Sequence, residues 1–295
     1  GERDIVRNNA GTWQYNSNAT YASETWVNGA TNTELATIAE SMEGAAVGYG
    51  LANASYDSVS FSVSSQDSVP LGMTFNTSGS KMYIIGRTGD NVYQYSLSTN
   101  FDLSTASYDS VSFSIGSQET NPQDVTFNSD GSKMYIVGAT NATVYQYSLS
   151  TAFDLSTASY ASISFSVSSQ DTYPNGLVFN TNGTKMFILG ATGQDVNEYA
   201  LSTGFNVSTA SFTDNFSVTA QDTNPSSIDF NSDGTKMFIS GMISDTISQY
   251  VLSTGFDVST ASYSSNFNVA SEDGTAVSVK FNSDGTKMFI LGLDN

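Results

Sequence analysis

The sequence contains no cysteine and no histidine in 295 residues. The first absence excludes disulfide staples and thiolate metal centres. The second removes the most frequent general base and the most frequent transition-metal ligand. Basic residues are scarce as well, nine against 28 acidic ones, for a formal charge of −19. That balance repels nucleic acid and anionic membrane surfaces and argues against both as partners. No apolar run approaches the roughly 18 residues that a membrane-inserted helix needs. Gly1 opens no signal-peptide pattern, and the lack of an initiator Met leads us to expect a processed or partial chain. Charged residues make up only 13% of the total, so the surface must consist largely of Ser, Thr, Asn, Gln and Gly, a neutral polar coat common on proteins that work outside cells. A chain of this length buries roughly 75% of its unfolded surface and needs no staples to hold a core.

What the chain does have is a repeat. FNTSGSKMYIIG from Phe75 returns in variants at Phe127, Phe179, Phe230 and Phe281, at spacings of 52, 52, 51 and 51 residues. A block ending in Y-S-L-S-T or a close relative follows four times and leads into F-D-L-S-T-A-S-Y or its variants. A third block, S-F-S-V-S-S-Q-D and its variants, precedes each copy of the first. Every block clusters β-branched and aromatic residues over five to eight positions between turn residues, which is the signature of a strand. In the first repeat the strands are expected at Gly72 to Asn76 (a), Lys81 to Ile85 (b), Val92 to Leu97 (c) and Ala106 to Ser114 (d). The a to b link places Gly79, Gly131, Gly183, Gly234 and Gly285 where a hairpin needs positive φ. Four antiparallel strands per repeat describe a β-propeller blade.

Residues 55–295 resemble propeller repeats of the YVTN type, in which a strand, a Pro-Asp-Gly-like turn and a second strand with an aliphatic run recur. The resemblance implies an all-β propeller, with Ser or Asn standing where the usual turn has Pro. We expect five four-stranded blades over residues 47–295. The last repeat stops after strands a and b, so the fifth blade would be closed by Val47 to Leu51 as strand c and Ala54 to Ser64 as strand d, sharing a sheet with Ala276 to Gly292. Six or seven blades in a longer chain is the competing count.

Residues 1–46 lie outside the repeat. Asp4 to Arg7 and Thr12 to Tyr15 flank N-N-A-G as a small hairpin, and Leu35, Ile38, Ala39 and Met42 set an amphipathic helix that must pack on something. Trp13 to Ser17 and Glu24 to Asn28 resemble a segment that precedes variable modules in tail-fibre and other virion proteins of marine bacteriophages. That resemblance implies a docking segment, with the protein held on a virion surface or another extracellular site.

The clearest chemical candidate is the acid eight residues before each strand-a Phe: Asp67, Glu119, Asp171, Asp222 and Asp273. Converging on one mouth of the central channel, five carboxylates would repel one another unless protonated or bridged by a hard cation such as Ca²⁺. The alternative is that each caps its own turn. The Lys after each turn (Lys81, Lys133, Lys185, Lys236, Lys287) is read as a solvated strand end, with an ion pair to that acid as the alternative. Tyr95, Tyr147, Tyr199 and Tyr250 are read as core, whereas Tyr93 and Tyr145, replaced by Asn197 and Ser248 in later repeats, are expected to be more exposed.

The expected function is a non-enzymatic virion module: residues 1–46 dock to other virion or surface proteins in an oligomeric assembly, and the propeller contacts a host glycan or protein. A bacterial or archaeal surface-layer adhesin is the alternative, and a lactonase-like propeller hydrolase the remote one. The last needs an acid–base pair outside the repeat pattern, and the sequence reading finds no catalytic residue of that kind.

Overall fold

The computed structural model describes residues 48–293 in full and residues 5–7 and 13–15 as backbone. The chain divides into two compact units, Gly1–Gly48 and Tyr49–Asn295. In the first, Ile5–Arg7 (β1) pairs antiparallel with Trp13–Tyr15 (β2), Ile5 opposite Tyr15, as the hairpin reading expected. The helix expected at Leu35 to Met42 lies outside the described residues.

The second unit carries four four-stranded antiparallel sheets. The first holds Pro70–Phe75 (β3), Lys81–Gly86 (β4), Asn91–Leu97 (β5) and Ala106–Ser114 (β6). The second holds Pro122–Phe127 (β7), Lys133–Gly138 (β8), Thr143–Leu149 (β9) and Ala158–Ser166 (β10). The third holds Pro174–Phe179 (β11), Lys185–Gly190 (β12), Asp195–Leu201 (β13) and Ala210–Ser217 (β14). The fourth holds Pro225–Phe230 (β15), Lys236–Gly241 (β16), Thr246–Leu252 (β17) and Ala261–Asn268 (β18). Ala276–Phe281 (β19) and Met288–Gly292 (β20) form a two-stranded sheet. The first strands of the sheets stand side by side in a circuit that runs β3, β7, β11, β15, β19 and back to β3. The fold is therefore an all-β, propeller-like ring, and its helical content among the described residues is single 3-10 turns such as Leu103–Thr105.

Burial explains why each segment takes its place. Strand b is apolar at successive positions and its side chains are buried on both faces, Met82 to Gly86 in β4, because a blade has a neighbour on each side. Each core cluster accordingly joins two consecutive sheets, as Tyr83 and Ile85 with Met134 and Ile136. The outermost strand alternates between half-buried and exposed, as in β10, since one edge and part of one face meet water.

The turn glycines serve two purposes. Gly183 has φ +70°, and a Cβ there would meet the Phe205 ring at 2.3 Å. Phe205 itself sits at φ +58°, a costly conformation for a bulky residue, held by a 2.9 Å bond from its N–H to the Gly183 carbonyl and by packing on Phe179. Gly183→Ala is expected to destabilise the protein by about 3 kcal/mol, from about 1–2 kcal/mol for the left-handed backbone plus displacement of the ring. Chemical denaturation of the variant checks it.

Closure differs from the expectation. Val47 lies outside the described residues, and no strand forms between Gly48 and Ser64, so this stretch shares no sheet with Ala276–Gly292. Tyr49 is not in a strand c at all. With φ +73° and its N–H bonded to the Gly285 carbonyl at 2.7 Å, it occupies the place that Phe101 holds against Gly79 in the first sheet. Leu51–Asn53 is then the 3-10 turn that follows, and among the described residues no strand c lies beside residues 54–64 to complete a ladder. Among the described residues there are thus four complete blades and one two-stranded sheet.

Candidate functional site

The five repeat acids do not share a site. Asp67, Glu119, Asp171 and Asp222 are buried, and each carboxylate accepts N–H bonds from its own blade: Asp171 from Tyr173 and Gly193 at 2.6 Å each, Asp222 from Asn224 at 2.6 Å and Ser244 at 2.8 Å. Asp67 accepts from Val69 and Gly89, Glu119 from Asn121 and Thr140, and Asp273 from Thr275. Asp67, Glu119, Asp171 and Asp222 thereby tie the turn entering strand a to the turn leaving strand b. The close approach that this requires is why a Cβ at Gly190 would fall 2.2 Å from an Asp171 oxygen. Among the described residues no three acids are grouped to hold a metal ion. Asp171→Ala is expected to cost about 2–4 kcal/mol, because two N–H donors lose a charged acceptor, and Asp171→Asn less; thermal melting of the pair measures it.

The repeat lysines stay half-exposed or, at Lys287, exposed, as the solvated reading expected, and among the described residues none is paired with those acids. Lys81, Lys133, Lys185, Lys236 and Lys287 donate from Nζ to the carbonyls of Phe153, Phe205, Phe256, Tyr49 and Phe101, at 2.6 to 3.2 Å, each reaching the neighbouring repeat. Lys185 also pairs with Glu198 at 2.7 Å. Tyr95, Tyr147, Tyr199 and Tyr250 are fully buried, as expected. Tyr93 and Tyr145 are buried too, at 7% and 9% exposure, because each packs edge-on against the tyrosine of the outer strand, Tyr108 or Tyr160.

The side chains that do converge break the repeat. The third residues of the inner strands are Gly72, Asp124, Gly176, Ser227 and Ser278, and the fifth are Thr74, Thr126, Val178, Asp229 and Lys280. The fourth and sixth positions, such as Val125 and Phe127, turn into the cores between blades, so the third and fifth face the space that the circuit encloses. Lys280 on β19 places Nζ 3.9 Å from Oδ2 of Asp124 on β7, although these strands are not neighbours in the circuit, so the pair spans the axis. Lys280 also donates to the Ile228 carbonyl at 3.1 Å. Asp124 Oδ2 accepts from the Leu177 N–H at 3.0 Å, and Asp229 Oδ2 from the Phe281 N–H at 2.9 Å, so each carboxylate stitches its strand to the next. A side chain at Gly72 would press to 2.8 Å on the Asp124 backbone and carboxylate, so glycine there leaves room for the ion pair.

Above this triad opens a cavity of about 200 Å³. Thr74, Thr126, Val178, Asp229 and Lys280 line it, one residue from each inner strand, and Asn76, Thr77 and Ser283 lie at the strand-to-turn end. Burial raises the carboxyls of Asp124 and Asp229 above the usual carboxylate range, against the opposing pull of the Lys280 ammonium and of backbone N–H donors. Phe75, Phe101 and Phe281 complete the lining, so the cavity is of mixed character, and a carboxylate beside an ammonium in such a site can move a proton and stabilise a developing negative charge. The signal in the sequence was a charge at positions that elsewhere hold Gly, Ser, Thr or Val. Reading the acids for what recurs hid the ones that do not.

No family model and no curated protein matches the chain. Solved structures do. A Bacteroides uniformis protein called a putative 6-phosphogluconolactonase superposes with a TM-score of 0.50 at 12% identity, covering 73% of this chain and 62% of that one. A protein from Lactobacillus plantarum superposes with a TM-score of 0.50 at 11% identity, covering 77% of this chain and 64% of that one. The chain thus spans less than two thirds of the length of these relatives, and at such identity the likeness establishes the fold. The bacteriophage resemblance of the first residues finds no support in these comparisons. The expectation of a chain without enzymatic machinery is corrected: it rested on finding ionisable groups only within the repeat, whereas Asp124, Asp229 and Lys280 stand outside it on the axis, in a fold shared with a chain called a putative 6-phosphogluconolactonase.

Proposed function

We propose that the protein is a hydrolase whose substrate is an unphosphorylated lactone of a small polyhydroxy acid, bound in the axial cavity. The observation that carries this reading is that Asp229 and Lys280, which interact electrostatically, both line the cavity. The Asp229 carboxylate takes a proton from a water molecule as the water oxygen bonds to the lactone carbonyl carbon. The resulting oxyanion lies beside the Lys280 ammonium, a charge fixed in advance by Asp124. When the tetrahedral species collapses, the ring C–O bond breaks and Asp229 returns its proton to the ring oxygen. Water and lactone become a hydroxy acid, with no change in the enzyme. Hydroxyl groups of Thr74 and Thr126 are placed to bind those of the substrate. Among the described residues Lys280 is the one cation lining the cavity, and a chain of charge −19 disfavours a phosphorylated substrate, which is why a neutral lactone fits better. A panel of five- and six-membered aldonolactones, followed by base uptake at constant pH, tests the reading. Turnover well above the spontaneous rate is expected, and no acceleration of any member would overturn it.

We further read β19, β20 and residues 49–64 as parts of one fifth blade, whose strand c is not among the described residues. Gln94, Gln146, Glu198 and Gln249 support this, since each accepts an N–H bond from the 3-10 turn of the following repeat, at Leu155, Val207, Val258 and Leu51 in turn. Leu51 takes its place in that series, and Lys287 of the same unit reaches on to Phe101 of the first sheet.

A further inference from the structure

We infer that Asp90, Glu119 and Tyr147 hold a hard divalent cation of the calcium class where the first and second blades meet. The inference goes beyond the lactone reading and is independent of the axial chemistry. It starts from the one repeat acid that is a glutamate. Asp67, Asp171 and Asp222 use both carboxylate oxygens, one on the turn entering strand a and the other on the N–H of Gly89, Gly193 or Ser244 after strand b. Glu119 is longer by a methylene, and its Oε1 takes both donors instead, Asn121 at 2.7 Å and Thr140 at 3.1 Å. Its Oε2 is buried with no hydrogen-bond partner among the described residues, on a residue only 1% exposed. The tyrosine of the same repeat departs from its counterparts too. Tyr95, Tyr199 and Tyr250 donate to Gln66, Gln170 and Gln221 at 3.0 to 3.2 Å, whereas the hydroxyl of Tyr147, fully buried, has no partner among the described residues.

Asp90 brings a third such oxygen to the same junction. It stands at φ +48° in the turn between β4 and β5. Its carbonyl accepts the Ile115 N–H at 2.9 Å, and the Glu119 N–H donates to the Ile115 carbonyl at 2.9 Å, so both residues are fixed on one point of the chain. A Cβ at Gly116 would lie 3.4 Å from that of Asp90, which presses the Asp90 side chain on the turn that carries Glu119. Asp90 Oδ1 is buried and likewise has no partner among the described residues. Burial first, then the charges of Asp67 and Glu119, raise the Asp90 carboxyl. The Tyr147 hydroxyl is raised by burial, then by Tyr160, Tyr145 and Glu119, and so stays protonated. Among the described residues neither Asp90 nor Glu119 has an ion pair, and Arg87, in the same turn as Asp90, donates to Asn121 Oδ1 at 3.3 Å instead. Two carboxylates drawn out of water without a counter-charge are costly. A doubly charged cation balances them. An all-oxygen set, in a chain without His or Cys, selects a hard ion, and calcium accepts irregular geometry and neutral oxygens such as a phenol. The three features meet once. Ala142 and Gln194 stand at the position of Asp90 in the second and third blades, and Asp245, whose Oδ1 is buried in the same way, is followed by Asp273 rather than a glutamate.

Calorimetry with calcium chloride and luminescence with Tb³⁺ test the site on the full chain. Calcium should bind saturably at a single site and raise the melting temperature relative to chelator. Tb³⁺ should show tyrosine-sensitised emission that Ca²⁺ displaces, and Tyr147→Phe should remove most of it. Glu119→Asp restores the residue used in the other repeats, and Asp90→Ala installs the residue of the second blade, so both variants should fold. Each should bind calcium more weakly by about tenfold or more, since affinity follows the number of charged ligands, and calcium should no longer raise its melting temperature. Wild-type affinity in either variant would mean an adventitious ion only, held by exposed turn acids such as Asp130, and would overturn the site. So would emission undiminished in Tyr147→Phe. Absence of saturable calcium binding to the wild type would overturn it as well, leaving a buried water as the shared partner of the three oxygens.

Discussion

Asp229→Asn is expected to lower kcat for lactone hydrolysis by about 10²- to 10⁴-fold, the usual contribution of a positioned general base, while KM changes little. Asparagine retains an oxygen to accept the Phe281 N–H, so the stitch between β15 and β19 survives and the loss falls on proton transfer. The pH profile separates this from a merely structural effect. Because burial displaces the Asp229 carboxyl upward, the ascending limb of the wild-type rate should centre above the usual carboxylate range. It should vanish in the Asn variant and persist, displaced, in Asp229→Glu. A variant with an undiminished rate and an unchanged limb would remove Asp229 from the chemistry.

The repeat made the architecture legible. Strand b, the turn glycines and the core tyrosines were readable because they are periodic, and a propeller imposes the same burial on each copy. What periodicity concealed was whatever a single repeat does alone. Asp124 and Lys280 look like ordinary strand residues until the circuit brings two non-adjacent strands across one axis, and no local pattern encodes that distance. Tyr49 was misread for a related reason. Within VGYGL it has the aromatic-aliphatic look of a strand, yet its register 52 residues ahead of Phe101 makes it the turn residue that packs on a glycine. The repeat acids were placed correctly as a recurrent feature, but recurrence there reflects a backbone need met five times within the blade rather than a shared site.

Lys280→Met should destabilise the protein by about 3–5 kcal/mol at neutral pH, the cost of removing one partner from a buried ionic group. The size follows from what is left behind. Asp124 is 1% exposed, and the one cation near it among the described residues is gone; Asp229 loses the same favourable charge. Linkage fixes the sign of the pH dependence. A carboxyl whose folded pKa is raised binds its proton more readily in the native state than in the unfolded one, so stability falls as pH climbs from the ordinary carboxylate value through the raised one. In wild type Lys280 limits that window by holding both values down. Without it the window extends upward, and the variant should be markedly more destabilised at pH 8 than at pH 5, where the two carboxyls can be neutral. The capped surface acids run the other way: Asp130, Asp233 and Asp284 have lowered values, chiefly from bonds donated by Ser132, Thr235 and Thr286, and their contribution is lost only as pH falls below the ordinary value. The two effects therefore separate on the pH axis. Adding Asp124→Asn and Asp229→Asn to Lys280→Met should recover most of the lost stability at pH 8 and flatten its pH dependence between 5 and 8. Urea melts of the single and triple variants at the two pH values decide the matter, and a pH-independent loss for Lys280→Met alone would mean that its role is packing rather than charge.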